Sequence, residues 1–467
     1  MPLQPMSDVI VLIPGILGSV LVKDGNQVWG APGRSIVNNL ITFGGALKEL
    51  ELPSGVGHDD PKDGVTASQV LPSLCMVPTF WKADGYGRLA DYIKKHFTVT
   101  SATEVQVGNL LEFPYDWRLS NKLNAQRLAD KVNPALKRWR VSTKNPDAKL
   151  IFICHSMGGI IARYFLEVLG GRDRTSKLIT IGTPYKGSVN ALEALVNGVS
   201  NGVSIGLGPL SVSLDRLVRS FPSVYQLLPT YDCLNLGNGG LQVLTGSSLP
   251  NVDTNNVNQG LAFHSQLAAS VDSNPKYETF AIKGIDQPTS QSALLRNGKI
   301  EPIRSHKGTD HFGDGTVPRP SAHPPEWKTE GSVFVSQSHA LLQSTDSIHT
   351  QLFGILTTGI LGKFMGGTSI SLEVPAVVEA GKAVPIEVTS RDGNSTLALH
   401  VLCHGEAGQL MGEPKLMQAK GEGHYHLKLV DLPEGAFQIT VKSAPFAMPI
   451  DPVSDWTLVW NANEARI

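Results

Sequence analysis

The chain has 467 residues, of which 41% are hydrophobic and only 17% charged, with a formal net charge of −1. The length calls for one large domain plus a smaller one, and a near-neutral chain without a long basic run argues against nucleic-acid binding and against an electrostatic membrane anchor. A charged fraction below the usual value of about a quarter points to much buried or apolar surface, and any membrane attraction would have to come from apolar surface.

The first residues, MPLQPMSD, lack the positive and apolar regions of a secretory leader, and no apolar run reaches the length of a membrane span. Cys75, Cys154, Cys233 and Cys403 lie too far apart for a metal or redox motif. The expectation is a cytoplasmic protein with reduced thiols and with neither metal nor cofactor.

Strand-like and helix-like runs then alternate. DVIVLIPG (8–15) is a continuous apolar run closed by Pro-Gly, which suits a strand buried on both faces. GRLADYIKKHF (87–97) has helical spacing, and GNLLEFPYDWR (108–118) reads as a strand ending in a turn. Residues 124–140 are helical, KLIFIC (149–154) is a strand, GIIARYFLEVL (159–169) a helix and KLITIGTP (177–184) the next strand. The alternation predicts an α/β fold: a mostly parallel sheet with helices on both faces, over residues 1–365. Residues 30–80 and 188–275 break the rhythm. Both are read as insertions over a site, a lid and a cap, because long irregular segments in a compact domain usually serve function.

Beyond Gly367 the period changes. Six short alternating runs, separated by turn signals such as RDGN and LPEG, predict a small antiparallel, immunoglobulin-like β-sandwich over 366–467. Such modules most often stabilise a neighbour or dock a protein partner.

The chemistry centres on ICHSMGG (153–159). Cys154-His155-Ser156-Met157-Gly158 is a variant of the G-x-S-x-G elbow, in which a serine on a sharp strand-to-helix turn exposes its hydroxyl at the sheet edge. Cys154 replaces the first glycine. An ordinary helix-capping serine is the bland alternative, but the apolar strand before it and the amphipathic helix after it favour a nucleophile. That nucleophile needs a base and an orienting acid, in the order Ser, Asp, His. Asp314, in HFGDGTVPRP, is the candidate acid, with Asp310 its rival. His339, in SVFVSQSHALLQ, is the candidate base, with His349 and His323 its rivals. The oxyanion donors would be the amides of Met157 and of Ile16, in the IPGILGS loop after the first strand.

These blocks, together with Trp29, DGYGRLADYI (84–93), FPYDWR (113–118), IGTPYKGS (181–188), FPSVYQLLP (221–229), GDGTVP (313–318) and SHALLQ (338–343), resemble the lecithin:cholesterol acyltransferase family. That family includes phospholipid:diacylglycerol acyltransferases and the lysosomal phospholipase/transacylase. The resemblance spans most of residues 8–360 and implies an α/β-hydrolase fold, with Ser156, Asp314 and His339 as the triad and Ile16 and Met157 as oxyanion donors. It further implies a lid over 30–80 that admits a lipid chain at the membrane surface, and a cap over 188–275. Secreted relatives often staple the lid with a disulfide, whereas Cys75 stands alone there. Trp29 is a candidate apolar wall for an acyl chain. Asp116 and Arg118 are expected to brace a turn as a charge-assisted pair.

The function expected is therefore hydrolysis of lipid or phospholipid esters, or transfer of their acyl groups, through an acyl-enzyme. A soluble carboxylesterase or thioesterase and a non-catalytic binding protein are the alternatives.

Overall fold

The computed structural model describes residues 2–30, 48–53, 55–73, 75–77, 81–83, 85–199, 214–237, 239–272, 276–324, 326, 332–359 and 368–460. The middle of the expected lid (31–47), part of the expected cap (200–213) and the expected boundary near 365 lie outside the described residues.

Six strands form the central sheet: β1 (Val9–Ile13), β2 (Leu110–Glu112), β3 (Leu150–His155), β4 (Thr175–Ile181), β5 (Glu278–Ile285) and β6 (Ser332–Ser336). Their order is β6-β5-β4-β3-β1-β2, and every neighbouring pair is parallel. Each residue of β1 and β3 is buried, as an uninterrupted apolar run in a covered parallel sheet should be. Side chains alternate between two cores. Val9, Val11, Ile13, Leu150, Phe152 and Cys154 enter one, while Ile10, Leu12, Ile151 and Ile153 enter the other.

Helices cover both faces. Leu128, Val132 and Leu136 of the helix Asn121–Thr143, and Ile161 and Phe165 of the helix Met157–Glu167, fill the first core. Leu89 and Ile93 from Gly87–His96 fill the second, with Ile348, Leu352 and Ile355 from Asp346–Thr358. The result is an α/β-hydrolase fold. β1 has β2 on one side and β3 on the other, so the strand order reverses there. Chain reversal opens a crevice at the carboxyl ends of β1 and β3, the usual place for a ligand in an open α/β sheet.

Two expectations change in detail. Strand is confined to Leu110–Glu112 of the run 108–118, and the expected turn closes the run at 117–118. β5 had no counterpart in the sequence reading, because Thr279 and Lys283 interrupt its apolar pattern, although Lys283 is buried.

The C-terminal strands are β7 (Ile370–Glu373), β8 (Val384–Ser390), β9 (Leu399–Gly405), β10 (His424–Leu429), β11 (Gly435–Ser443) and β12 (Val453–Trp460). Each overlaps one of the six alternating runs. With three shorter strands they make two sheets, antiparallel apart from Val377–Glu379, which runs parallel to β12. Ile386, Val388, Val401, Ile439 and Val441 share a core of their own. The opposite faces of β11 and β12 behave differently: Ala436, Trp456, Leu458 and Trp460 belong to the first core of the hydrolase body.

Candidate active site

Ser156 follows β3 and caps the helix Met157–Glu167 with φ 51° and ψ −127°. That backbone is rare for a side-chain-bearing residue and is held against a strain of about 1–3 kcal/mol. Close packing explains the two glycines that follow. A Cβ on Gly158 would lie 2.4 Å from the Pro14 carbonyl oxygen, and one on Gly159 only 2.1 Å from Thr183 Oγ1. Cys154, by contrast, projects into the first core and is fully buried. Burial pushes its thiol pKa well up, so it stays neutral and packs as a small apolar group.

The structure brings Ser156, His339 and Asp314 together. Ser156 Oγ lies 2.9 Å from His339 Nε2, and His339 Nδ1 lies 2.7 Å from Asp314 Oδ2. Asp314 is 1% exposed. Its other oxygen accepts the amides of Thr316 (3.0 Å) and Val317 (2.7 Å), and its carbonyl accepts the His339 amide at 2.8 Å. The turn thus holds the carboxylate through bonds other than the one to the imidazole. A carboxylate on Nδ1 leaves Nε2 free to accept from the serine hydroxyl.

Asp310 and His349 are engaged elsewhere. Asp310 Oδ1 closes a turn on the Phe312 amide at 2.7 Å. His349 is buried in its helix, bonds the Gln343 carbonyl at 3.0 Å and stacks on Tyr92.

Met157 directly follows the serine, and a Cβ on Gly15, next to Ile16, would lie 2.9 Å from Ser156 Cβ. Pro14–Gly18 follows β1, and its conformation is held by bonds from distant residues. Tyr115 Oη donates to the Pro14 carbonyl at 3.0 Å, and the Trp29 indole N–H donates to the Leu17 carbonyl at 2.9 Å. The Gly15 amide donates to Tyr86 Oη at 2.7 Å. Gly15 N–H is therefore engaged, whereas among the described hydrogen bonds outside regular elements the Ile16 and Met157 amides donate to nothing. Met157 opens a helix, where the first amides lack intrahelical partners and the dipole favours negative charge.

Sequence reasoning missed the network behind this loop. Tyr86 Oη, which accepts from Gly15, sits 2.8 Å from His155 Nδ1, and His155 Nε2 sits 3.1 Å from the His339 carbonyl. Desolvation and the nearby His339 push the His155 pKa well below its ordinary value. A neutral ring with Tyr86 donating to Nδ1 carries its proton on Nε2 and donates it to His339. One chain of bonds therefore links the loop after β1 to the backbone of the candidate base. Tyr86, Tyr115 and His155 all fall inside the quoted blocks, which was the one available signal.

Trp29 is 5% exposed, edge-on to Trp117 with ring centroids 5.4 Å apart. It backs the loop from behind. Asp116 and Arg118 form the expected pair, with Arg118 Nε 2.9 Å from Oδ1 and a terminal nitrogen 2.7 Å from Oδ2. Arg118 is 0% exposed and also reaches Asp63 at 2.9 Å and the Leu50 carbonyl at 3.3 Å. The brace thus ties the insert between β1 and β2 to the body.

A cleft of about 710 Å³ opens beside Asp314 and His339. Asn190 and Glu193, from the helix Val189–Asn197, line one side; Leu372, Pro375 and Pro385, from the sandwich, line the other.

Residues 94–259 match the sequence model of the family "Lecithin:cholesterol acyltransferase". A phospholipid–sterol O-acyltransferase of Arabidopsis thaliana is 30% identical over 138 residues, 27% of this chain and 21% of that protein. The aligned segment thus spans about a fifth of the length of this curated relative. Among solved structures, a Bacillus licheniformis lipase in mature form is 14% identical, with 76% of this chain and 96% of that chain covered and a TM-score of 0.37. Phospholipase PlaB from Legionella pneumophila is 10% identical, with 96% and 90% covered and a TM-score of 0.32. In sequence, the segment 94–259 is lecithin:cholesterol acyltransferase-like.

Proposed function

We propose that this chain acts on acyl esters of lipids through an acyl-enzyme on Ser156. The hydrogen-bonded series Ser156 Oγ, His339 Nε2, His339 Nδ1, Asp314 Oδ2 carries the reading, and the match of residues 94–259 to an acyltransferase family supports a lipid ester as substrate.

Ser156 Oγ attacks the ester carbonyl while its proton passes to His339 Nε2. Asp314 holds the imidazole in the required tautomer and stabilises its cation. The Ile16 and Met157 amides receive the oxyanion. Collapse of the tetrahedral intermediate expels the alcohol, which takes the proton back from His339. Water, or a second lipid alcohol, then attacks the acyl-enzyme with His339 again as base. Water gives a lipase or phospholipase, and a lipid alcohol gives an O-acyltransferase. Hydrolysis is the primary reading, because the single cysteine of the 30–80 insert gives it no internal disulfide staple, and a lid without one would admit water more readily. Trp29 would supply an apolar wall behind the oxyanion loop, and the lid would meet the membrane surface.

Mixed phospholipid and neutral-lipid vesicles, followed by mass spectrometry, test this directly. Wild type should release free fatty acid or yield a newly acylated lipid. Ser156→Ala should lose about a thousandfold or more in turnover. Undiminished turnover by that variant would end the proposal.

A further inference from the structure

The C-terminal sandwich meets the candidate acid and base through two buried glutamines. Gln337, two residues before His339, is 3% exposed. Its Oε1 accepts the Ser338 amide at 2.8 Å and the Ser454 amide of β12 at 3.0 Å. Ser338 Oγ completes the join by donating to the Ser454 carbonyl at 2.7 Å. Both backbone groups of one sandwich residue are thus bound by the two residues that precede the base.

Gln287 repeats the arrangement on the acid side. It is 2% exposed, and its own amide donates to the Gly313 carbonyl at 3.0 Å, directly before Asp314. Its Oε1 accepts the Leu372 amide of β7 at 3.0 Å, and its Nε2 donates to the Ile370 carbonyl at 3.2 Å. Ser336 Oγ donates to the same carbonyl at 3.0 Å.

Both contacts fall on open sheet edges. β7 is the terminal strand of its sheet. β12 is flanked on its outer side by Val377–Glu379, which pairs only with Leu458–Trp460. The Val453–Thr457 half would otherwise present unpaired backbone groups, which need partners when buried. Apolar packing reinforces the join, since Leu341, two residues after His339, shares a core with Trp456 and Leu458.

We infer that the sandwich is a structural member of the triad rather than an appended module, and that Gln287 and Gln337 are positioning residues that hold the Asp314 turn and His339 against it. The inference rests on the proposed role of the triad. Turning or shifting the His339 segment by about 1 Å would cost up to about a hundredfold in rate, and the sandwich edges oppose that shift.

The experiment compares full-length Gln337→Met, Gln337→Glu, Gln287→Met and Ser338→Ala. Gln337→Met and Gln287→Met should lower kcat about 10–100-fold with little change in KM. Gln337→Glu keeps the accepting oxygen and should recover most of the loss. Ser338→Ala removes one bond, keeps the chain folded if Gln337→Met does not, and should show a smaller fall of the same kind. In a His339→Ala background none of these changes should lower the residual rate further. Activity is not the sole readout: the low-field proton resonance of the His339–Asp314 hydrogen bond, assigned by its loss in His339→Ala, should shift or broaden in Gln337→Met and Gln287→Met. Loss of thermal stability with an unaltered resonance and unaltered kcat would overturn the inference. An inactive wild type that keeps the resonance would instead overturn the proposed chemistry, while the resonance of the glutamine variants still decides this point.

Discussion

Ser156 stands in a strained backbone because Gly158 and Gly159 let the helix after it pass within contact of Pro14 and Thr183. Gly159→Ala should therefore destabilise by about 1–3 kcal/mol, read as a lower denaturation midpoint. Cys154, the departure from the elbow pattern, faces away from the hydroxyl into the core. Cys154→Gly should lower stability by about 1–3 kcal/mol through a small cavity and a freer backbone, while turnover per folded molecule stays at the wild-type value. A collapse of turnover in that variant would mean that the thiol shapes the elbow. Tyr86 makes the opposite prediction. Tyr86→Phe removes the acceptor of the Gly15 amide and the donor to His155 Nδ1, leaving both unpaired in a buried place. Turnover should fall about tenfold or more with KM nearly constant, since each orphaned buried group is worth about 1–3 kcal/mol. Steady-state kinetics with a soluble ester checks it.

Among the elements, the turn after β2 joins separate parts of the chain. Arg118 is buried between Asp116, Asp63 and the Leu50 carbonyl, so one guanidinium anchors two stretches of the insert between β1 and β2. Arg118→Met would leave the Asp116 carboxylate buried without its cation and should destabilise by about 3–5 kcal/mol. Arg118→Lys should recover little, because a point charge does not reproduce the fork that engages both Asp116 oxygens. Urea titrations of the three proteins decide the matter. The sandwich strands show the same dependence on context. β12 turns Trp456 and Trp460 toward the hydrolase body, so a face that period-two patterning marks as the outside of a free module is core.

For the whole molecule, the buried histidines set an acid limit. His264 is buried, donates from Nε2 to the Gln226 carbonyl at 2.7 Å and faces Arg163; burial is the main cause that lowers its pKa to about 4. His155 is depressed as well, mainly by desolvation. Below about pH 6.5 the unfolded chain binds protons at these positions that the folded chain refuses. The contribution of His264 is therefore flat above that pH and falls as the pH drops from about 6.5 toward about 4, by up to about 1.4 kcal/mol per unit, and His155 acts in the same direction. His264→Gln should flatten the slope of unfolding free energy against pH over that window. An unchanged slope would mean that His264 does not contribute. No helix among the described residues is long and apolar enough to cross a membrane.

The amino-acid order determined what local pattern can encode. Continuous apolar runs specified buried parallel strands, alternating runs specified the sandwich strands, and a serine between an apolar strand and a helix specified the elbow. Asp310 and His349 satisfy the same chain order, so the Gly-flanked turn around Asp314 and the strand-like run ahead of His339 were what singled those two out. β5 escaped because Lys283 is polar in sequence yet buried in place, where desolvation lowers its pKa to about 8. The tertiary structure decided everything that depends on partners far apart in the chain. Tyr86 reaches Gly15 across 71 residues, and Gln337 reaches Ser454 across 117. A hydrogen bond of that kind leaves no period and no spacing in the sequence. Its energy depends on two groups being desolvated together, and which groups those are is settled only when the sheets and the loops have packed.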